Sequence, residues 1–261
     1  MHGMDRLASL AAGCVLDVGP AEAVDVAAAS GWPAVGLWFD PATWTDATTV
    51  EVRHRLDATG LVALDIEPLI LGRGADAGER MITAAAALDV RFLLVASGPA
   101  ERGEVVDRFA ELCGEAATVA PGLTVVLEFL PIFSIGSLAA AVDVIREVGA
   151  PNGGVLVDTL HLARSGGTAA DLSALPPGVV PYLQLADAPA VGPADPVALR
   201  EEALHGRLLP GEGDLPLDAV LAAAPGVPVS VELRSRALME GYPDPVERAR
   251  VIRRSLSSLA L

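Results

Sequence analysis

The sequence predicts an α/β protein folded as a (β/α)8 TIM barrel, with residues 1–261 forming a single domain. Three observations lead there. Short β-branched or Leu-rich runs alternate with longer Ala-rich amphipathic runs from one end to the other, as in βαβ units on a parallel sheet. Eight such units fill a chain of 261 residues, a length that suits one closed barrel. The turn after the first apolar run, Val18-Gly19-Pro20-Ala21, lacks the glycine-rich phosphate-binding pattern of an open doubly wound sheet.

Taken in order, the first strand is read over residues 14–18 (Cys-Val-Leu-Asp-Val) and the first helix over 21–30, where alanines dominate. Ala-Val-Gly-Leu-Trp-Phe at 34–39 is the second strand, followed by a helix over 48–59. The third pair is a strand at 62–66 and a helix at 75–88, and the fourth a strand at 92–95 and a helix at 102–119. Thr-Val-Val-Leu-Glu at 124–128 precedes a helix at 137–148. Gly-Val-Leu-Val-Asp at 154–158 precedes a short one at 168–174. Strands at 180–185 and 227–233 close the set, with helices at 217–224 and 245–259. The stretch 186–216 reads as the longest irregular segment, placed after the seventh strand, where barrel enzymes carry substrate loops.

Composition bounds the function. Hydrophobic residues make up 52% of the chain and aromatic residues only 4%, which suits buried parallel strands between Ala-rich helices. The formal net charge of −16 repels nucleic acid and anionic lipid, so neither is expected as a partner. All 18 basic residues are arginine, so no Schiff-base lysine or lysine general base operates here. Cys14 and Cys113 lie far apart in apolar stretches and read as buried thiols, neither a disulfide nor a zinc clamp. The apolar run before Cys14 is shorter than the about 7–15 residues a secretion signal wants, and no run approaches the roughly 18 of a membrane span. A cytoplasmic protein is therefore expected.

The chemistry is concentrated in the way the last four strands end. Val125-Val126-Leu127-Glu128, Val155-Leu156-Val157-Asp158, Tyr182-Leu183-Gln184 and Ser230-Val231-Glu232 each deliver one oxygen-bearing side chain at or near a strand's C-terminal end. In a barrel those ends lie side by side around the mouth. Three carboxylates and an amide oxygen form a hard cluster that cannot stay fully ionised without a cation. Mn2+ or Mg2+ suits it best, with Co2+, Fe2+ or Zn2+ admitted by availability. Singly, Glu128, Asp158 or Glu232 reads equally well as a helix cap or an arginine's partner; four on consecutive strands point to a metal. His161, three residues past Asp158, is a candidate catalytic group, with a satisfied structural histidine as the alternative. Arg207, ahead of Pro210-Gly211-Glu212-Gly213, can reach back to stabilise negative charge on a substrate oxygen, or else form a plain loop ion pair. Asp187, just behind Gln184, can orient a neighbouring ligand. Glu67, Trp38 and His54 are candidate substrate contacts. Phe39, Phe129, Phe133 and Tyr182 can wall the pocket or belong to the core.

In order, Glu128, Asp158 with His161, Gln184, Arg207 before Pro210-Gly211-Glu212-Gly213, and Glu232 resemble the motifs of the xylose isomerase-like barrel superfamily, in its sugar phosphate isomerase/epimerase branch. The resemblance covers nearly the whole chain and is sharpest from Glu128 to Glu232. It implies that Glu128, Asp158, Gln184 and Glu232 ligate the metal. It also implies that Glu128 and Glu232 exchange a substrate proton from opposite faces while metal and Arg207 hold an enediolate oxygen, a sensible division because a metal-held oxygen acidifies the neighbouring C–H. Sugar epimerases usually have histidine where Gln184 stands; glutamine is similar to the dehydratases of cyclic polyol ketones.

The leading expectation is thus a metal-dependent isomerase or epimerase of a sugar-like hydroxy-ketone. A dehydratase sharing every site residue comes second and a non-catalytic ligand-binding barrel third. The superfamily's apurinic endonuclease is disfavoured by four histidines in total and the acidic charge. Without lysine, and with Leu160, Leu162 and Leu185 nearby, a neutral or fairly apolar small-molecule substrate is open. A homodimer paired through the helices is the assembly that barrels of this kind suggest.

Overall fold

The computed structural model describes residues 6–259 and 261. In chain order, strand β1 (Ala8–Leu10) and a 3-10 turn (Ala12–Cys14) lead to helix α1 (Pro20–Ala29). There follow β2 (Ala34–Trp38), α2 (Asp46–Thr59), β3 (Val62–Ile70), α3 (Gly78–Leu88), β4 (Phe92–Ala96) and α4 (Arg102–Val119). The second half runs β5 (Thr124–Glu128), α5 (Leu138–Val148), β6 (Gly153–Asp158), α6 (Thr159–Arg164), α7 (Ala169–Ser173) and β7 (Leu183–Leu185). The chain ends with α8 (Pro196–His205), α9 (Leu217–Ala223), β8 (Val229–Val231), α10 (Arg236–Gly241), α11 (Pro245–Ser255) and a last 3-10 turn (Leu256–Ser258). The eight strands pair in parallel in sequence order, and β8 closes on β1, so the architecture is the expected (β/α)8 barrel.

Strand alternation sorts the side chains. One set, including Val125, Leu127, Val155, Val157, Val229 and Val231, faces outward into a large cluster shared with the helices. The other set fills the barrel, where Ala34, Leu64, Phe92, Leu94, Val126, Leu156 and Tyr182 pack together and Tyr182 stacks on Phe92 at 4.4 Å. Two residues further along, three of these strands present their next inward side chain at the barrel mouth: Glu128 after Val126, Asp158 after Leu156, Gln184 after Tyr182. Alternation on β5, β6 and β7 is what turns an apolar core into a polar floor.

The first strand and the segment after β7 differ from expectation. Residues 14–18 lie outside the sheet, and the weaker run Ala8-Ser9-Leu10 pairs instead, with Ser9 aligned to Ala34 and to Ser230. Ala and Ser carry little strand preference, so pairing on both sides, not local propensity, makes this a strand. Within 186–216 a helix forms, α8, capped by Asp195, which accepts from the Val197 and Ala198 amides, with Pro196 opening it. Among its residues only Ala203 is buried while Val197 is exposed, so apolar periodicity carries no signal there. Cys14 and Cys113 are both buried and free. Among the described residues no helix is long and apolar enough to cross a membrane.

Candidate metal centre

Asp158 ends β6 and caps α6, accepting from the Leu160 amide at 2.7 Å and the His161 amide at 3.1 Å through Oδ1. The cap fixes the carboxylate and turns the chain so that His161, one helical turn on, lands beside Glu128, with Nε2 3.8 Å from its Oε1. Glu128, Asp158 and His161 each offer a ligand atom, all within 4.8 Å of one another, and all three side chains are buried. The amide oxygen of Gln184 is buried without a hydrogen-bond partner, while its Nε2 donates to Glu67 Oε2 at 3.0 Å. An amide held by its nitrogen presents its oxygen as a ligand, and unpaired buried oxygen is costly unless something occupies it. Glu232 follows β8, and the Arg207 guanidinium bridges it to Asp158, with Nη1 3.0 Å from Glu232 Oε2 and 2.5 Å from Asp158 Oδ2.

The electrostatics favour a further cation. Burial, then Glu232 and Asp158, push the Glu128 carboxyl well above its ordinary range. Burial, then Glu232, Asp65 and Glu128, do the same to Glu67. Burial also raises Glu232, though Arg207 opposes it. Asp158 goes the other way: burial would raise it, but Arg207, His161 and the bonds it accepts hold it below the usual range. Burial lowers His161 to about 4, leaving a neutral imidazole able to ligate. Arg207 and Arg234 both oppose the rise at Glu128 and Glu232. Of the expected ligands, the structure brings Glu128 and Asp158 together with His161 as a group that could hold a divalent ion, with Gln184 aligned to Asp158 on the next strand, whereas the Glu232 carboxylate is paired with Arg207.

Above this floor lies a cleft of about 300 Å3, lined by Glu67, Glu128, His161, Arg207, Glu232 and Trp38 among others. Of the proposed substrate contacts, Glu67 and Trp38 reach it. His54 does not: it is exposed on α2, whose buried residues are Val52 and Leu56, so helical phase turns it to solvent. Of the aromatic candidates Phe133 lines the cleft, whereas Phe39, Phe129 and Tyr182 are core. Asp187 serves a different purpose from orienting a ligand. It accepts the amides of Ala188, Gly211, Gly213 and Leu215, and so shapes the loop after Arg207. A Cβ at Gly213 would lie 2.4 Å from Asp187 Oδ1, which explains that glycine.

Sequence reasoning missed Arg73, Arg200 and Arg234, which also line the cleft. Arg234 stacks over the Trp38 ring at 5.6 Å. Among the described residues none of the three closes a salt bridge. Arg234 sits two residues past Glu232, a signal within reach; Arg200 depends on α8 forming, and Arg73 on a loop path that no motif marks.

Residues 24–260 match the family model described as xylose isomerase-like TIM barrel. No curated protein matches the chain. Among solved structures, a xylose isomerase-like TIM barrel/4-hydroxyphenylpyruvate dioxygenase fusion protein superposes with a TM-score of 0.79 at 21% identity. The match covers 96% of this chain and 42% of that one, so the chain spans less than half of the fusion protein. The IolI protein with a bound zinc atom superposes at TM-score 0.77 and 16% identity, over 96% of both chains. The probable 3-DHS dehydratase AsbF from Bacillus anthracis gives 0.74 and 16%, over 95% of this chain and 98% of that one. A D-psicose 3-epimerase gives 0.71 and 16%, over 96% and 98%. At these identities the likenesses establish a shared fold.

Proposed function

This chain belongs to the family of xylose isomerase-like TIM barrels, and we propose that it is a divalent-metal-dependent enzyme that removes the proton beside the carbonyl of an anionic polyol ketone. The observation that carries this reading is the convergence of Glu128, Asp158 and His161 within 4.8 Å, beside the unpartnered oxygen of Gln184 and under an open cleft. A bound Mn2+ or Mg2+ supplies Lewis acidity that makes the C–H next to a carbonyl easier to ionise. Glu232 takes the proton, and Arg207, 3.0 Å away, stands where negative charge grows. Glu128, which lines the same cleft with His161 beside it, acts as the proton donor. Arg73, Arg200 and Arg234 supply guanidinium forks suited to a carboxylate on the substrate, a match that lysine would make less well. This favours an acidic substrate over a neutral or apolar one.

Two fates share the first step. Return of a proton by Glu128 to the opposite face gives an epimer or isomer, the fate that two glutamates lining one cleft suit. Loss of a β-hydroxyl, with Glu128 giving its proton to the departing oxygen so that it leaves as water, gives a conjugated enone. Gln184 and the arginine-lined cleft favour this second reading, a dehydratase. The structural neighbours carry both activities.

Incubation of the Mn2+-loaded protein in D2O with carboxylate-bearing and neutral polyol ketones separates these outcomes. Loss of the α-proton signal, faster for the carboxylates, supports the shared step; rising ultraviolet absorbance identifies elimination and its absence identifies epimerisation. Metal-loaded protein that exchanges no α-proton in any of them refutes the proposal.

A further inference from the structure

The 3-10 turn Ala12–Cys14 carries no residue expected to act on substrate, yet it lies against Glu232 and its two chain neighbours. A Cβ built on Gly13 would lie 2.8 Å from Glu232 Oε1 and 3.1 Å from Arg234 Cγ, so a methyl group there would push the Glu232 carboxylate aside. The Cys14 thiol donates to the Val231 carbonyl at 3.1 Å, and its sulfur accepts from the Leu233 amide at 3.2 Å. One side chain thus holds the residues immediately before and after Glu232. The bracket is needed locally, because β8 is only three residues long and stops at Val231. The turn is itself held from the C-terminal helix. Arg248 is fully buried; its Nε donates to the Cys14 carbonyl at 3.0 Å, Nη1 to the Tyr242 carbonyl at 2.9 Å, and Nη2 to Asp17.

We infer that Gly13 and Cys14 are positioning residues for Glu232, fixing its carboxylate between the metal centre and Arg207, with Arg248 tying that cradle to α11. Sulfur suits the task because one atom both donates and accepts across the two flanking peptide groups, and its longer bonds let it span them. The inference rests on the reading of Glu232 as ligand and base. Partners that orient a metal ligand without touching the metal usually matter about 10–100-fold to affinity or activity.

The test uses the full chain as Cys14→Val, Cys14→Ser and Gly13→Ala, beside wild type. Cys14→Val keeps the volume and removes both hydrogen bonds; Cys14→Ser keeps a donor and an acceptor. For each, Mn2+ affinity of the metal-free protein is titrated, kcat and KM are measured separately, and thermal unfolding is recorded. The expected result is that Cys14→Val and Gly13→Ala weaken Mn2+ binding and lower kcat by about tenfold or more, with KM little changed. Cys14→Ser recovers most of the loss, while thermal stability fails to rank the variants in the same order. Equal Mn2+ affinity and kcat in wild type and Cys14→Val overturns the inference. So does Cys14→Ser as impaired as Cys14→Val, with losses that track stability, since packing alone would then be at stake. Wild type that binds no Mn2+ overturns the reading of the site together with the cradle; wild type that binds while the variants bind equally overturns the cradle alone.

Discussion

Asp65 shows how a single residue's surroundings set its chemistry. It lies on β3 two residues before Glu67, fully buried inside the barrel beside the Tyr182 and Ser230 hydroxyls. Burial, then Glu232, raises its carboxyl to about 7, although the nearby Tyr182 and Ser230 hydroxyls pull the other way. Unfolded, the group ionises near 3.8, so between 3.8 and about 7 the folded chain holds a proton that the unfolded chain has lost. This group's contribution to stability is therefore fullest below that window and falls as pH rises through it. Urea unfolding of Asp65→Asn across pH should show a flatter profile in that window and greater stability than wild type above it; parallel profiles would refute the assignment. His161 makes a second residue-scale prediction. Held neutral by burial and adjoining Glu128, it should cost about 10–100-fold in Mn2+ affinity or turnover as His161→Ala, and unchanged values of both would mark it as structural. The residues at this scale were partly legible. Glu128, Asp158, Gln184 and Glu232 stand out because each lies at or near the end of an apolar run, and alternation then fixes where they point. Asp65 and Cys14 do not, because each sits in an apolar run whose inward neighbours only closure of the barrel supplies.

At the scale of elements, the segment after β7 governs the site. Read as irregular, it contains α8, which brings Arg200, Ala203 and Leu204 to the cleft and ends just before Arg207. Two attachments hold it. Arg164 grips Glu202 with two contacts of 2.7 Å, both groups largely buried, and Asp187 gathers three amides of the following loop besides that of Ala188. Leaving several amides unpaired costs about 1–3 kcal/mol each at burial, so Asp187→Ala should lower stability by roughly 3 kcal/mol in urea unfolding. It should also raise KM more than Cys14→Val does, because it loosens the loop after Arg207 and leaves the floor intact. Unaltered stability would mean that water replaces the carboxylate. The first strand was misplaced for the converse reason: residues 14–18 look more strand-like than Ala8–Leu10, but they are used to cradle Glu232 and to lead into α1. Local propensity loses to the geometry of barrel closure at that point.

For the whole molecule, the alternation of eight apolar runs with helical ones was enough to predict barrel topology, since right-handed parallel units of this length have few other ways to bury both sheet faces. What the closed barrel adds is the gathering of buried carboxylates from β3, β5, β6 and the end of β8 around one mouth. Such an arrangement opposes folding unless a cation offsets it. Because a bound ion stabilises only the folded chain, saturating Mn2+ should raise the unfolding free energy by about 2.7 kcal/mol at a hundredfold excess over Kd, and chelation should reverse it. A melting temperature indifferent to both would contradict a resident ion. The most direct measurement is elemental analysis of the purified protein after loading with Mn2+, wild type beside Glu128→Gln/Glu232→Gln. A single equivalent of divalent metal in wild type, absent from the folded double variant, is the predicted result; wild type that retains no metal after loading, or a double variant that retains as much, would contradict the metal centre and every step built on it.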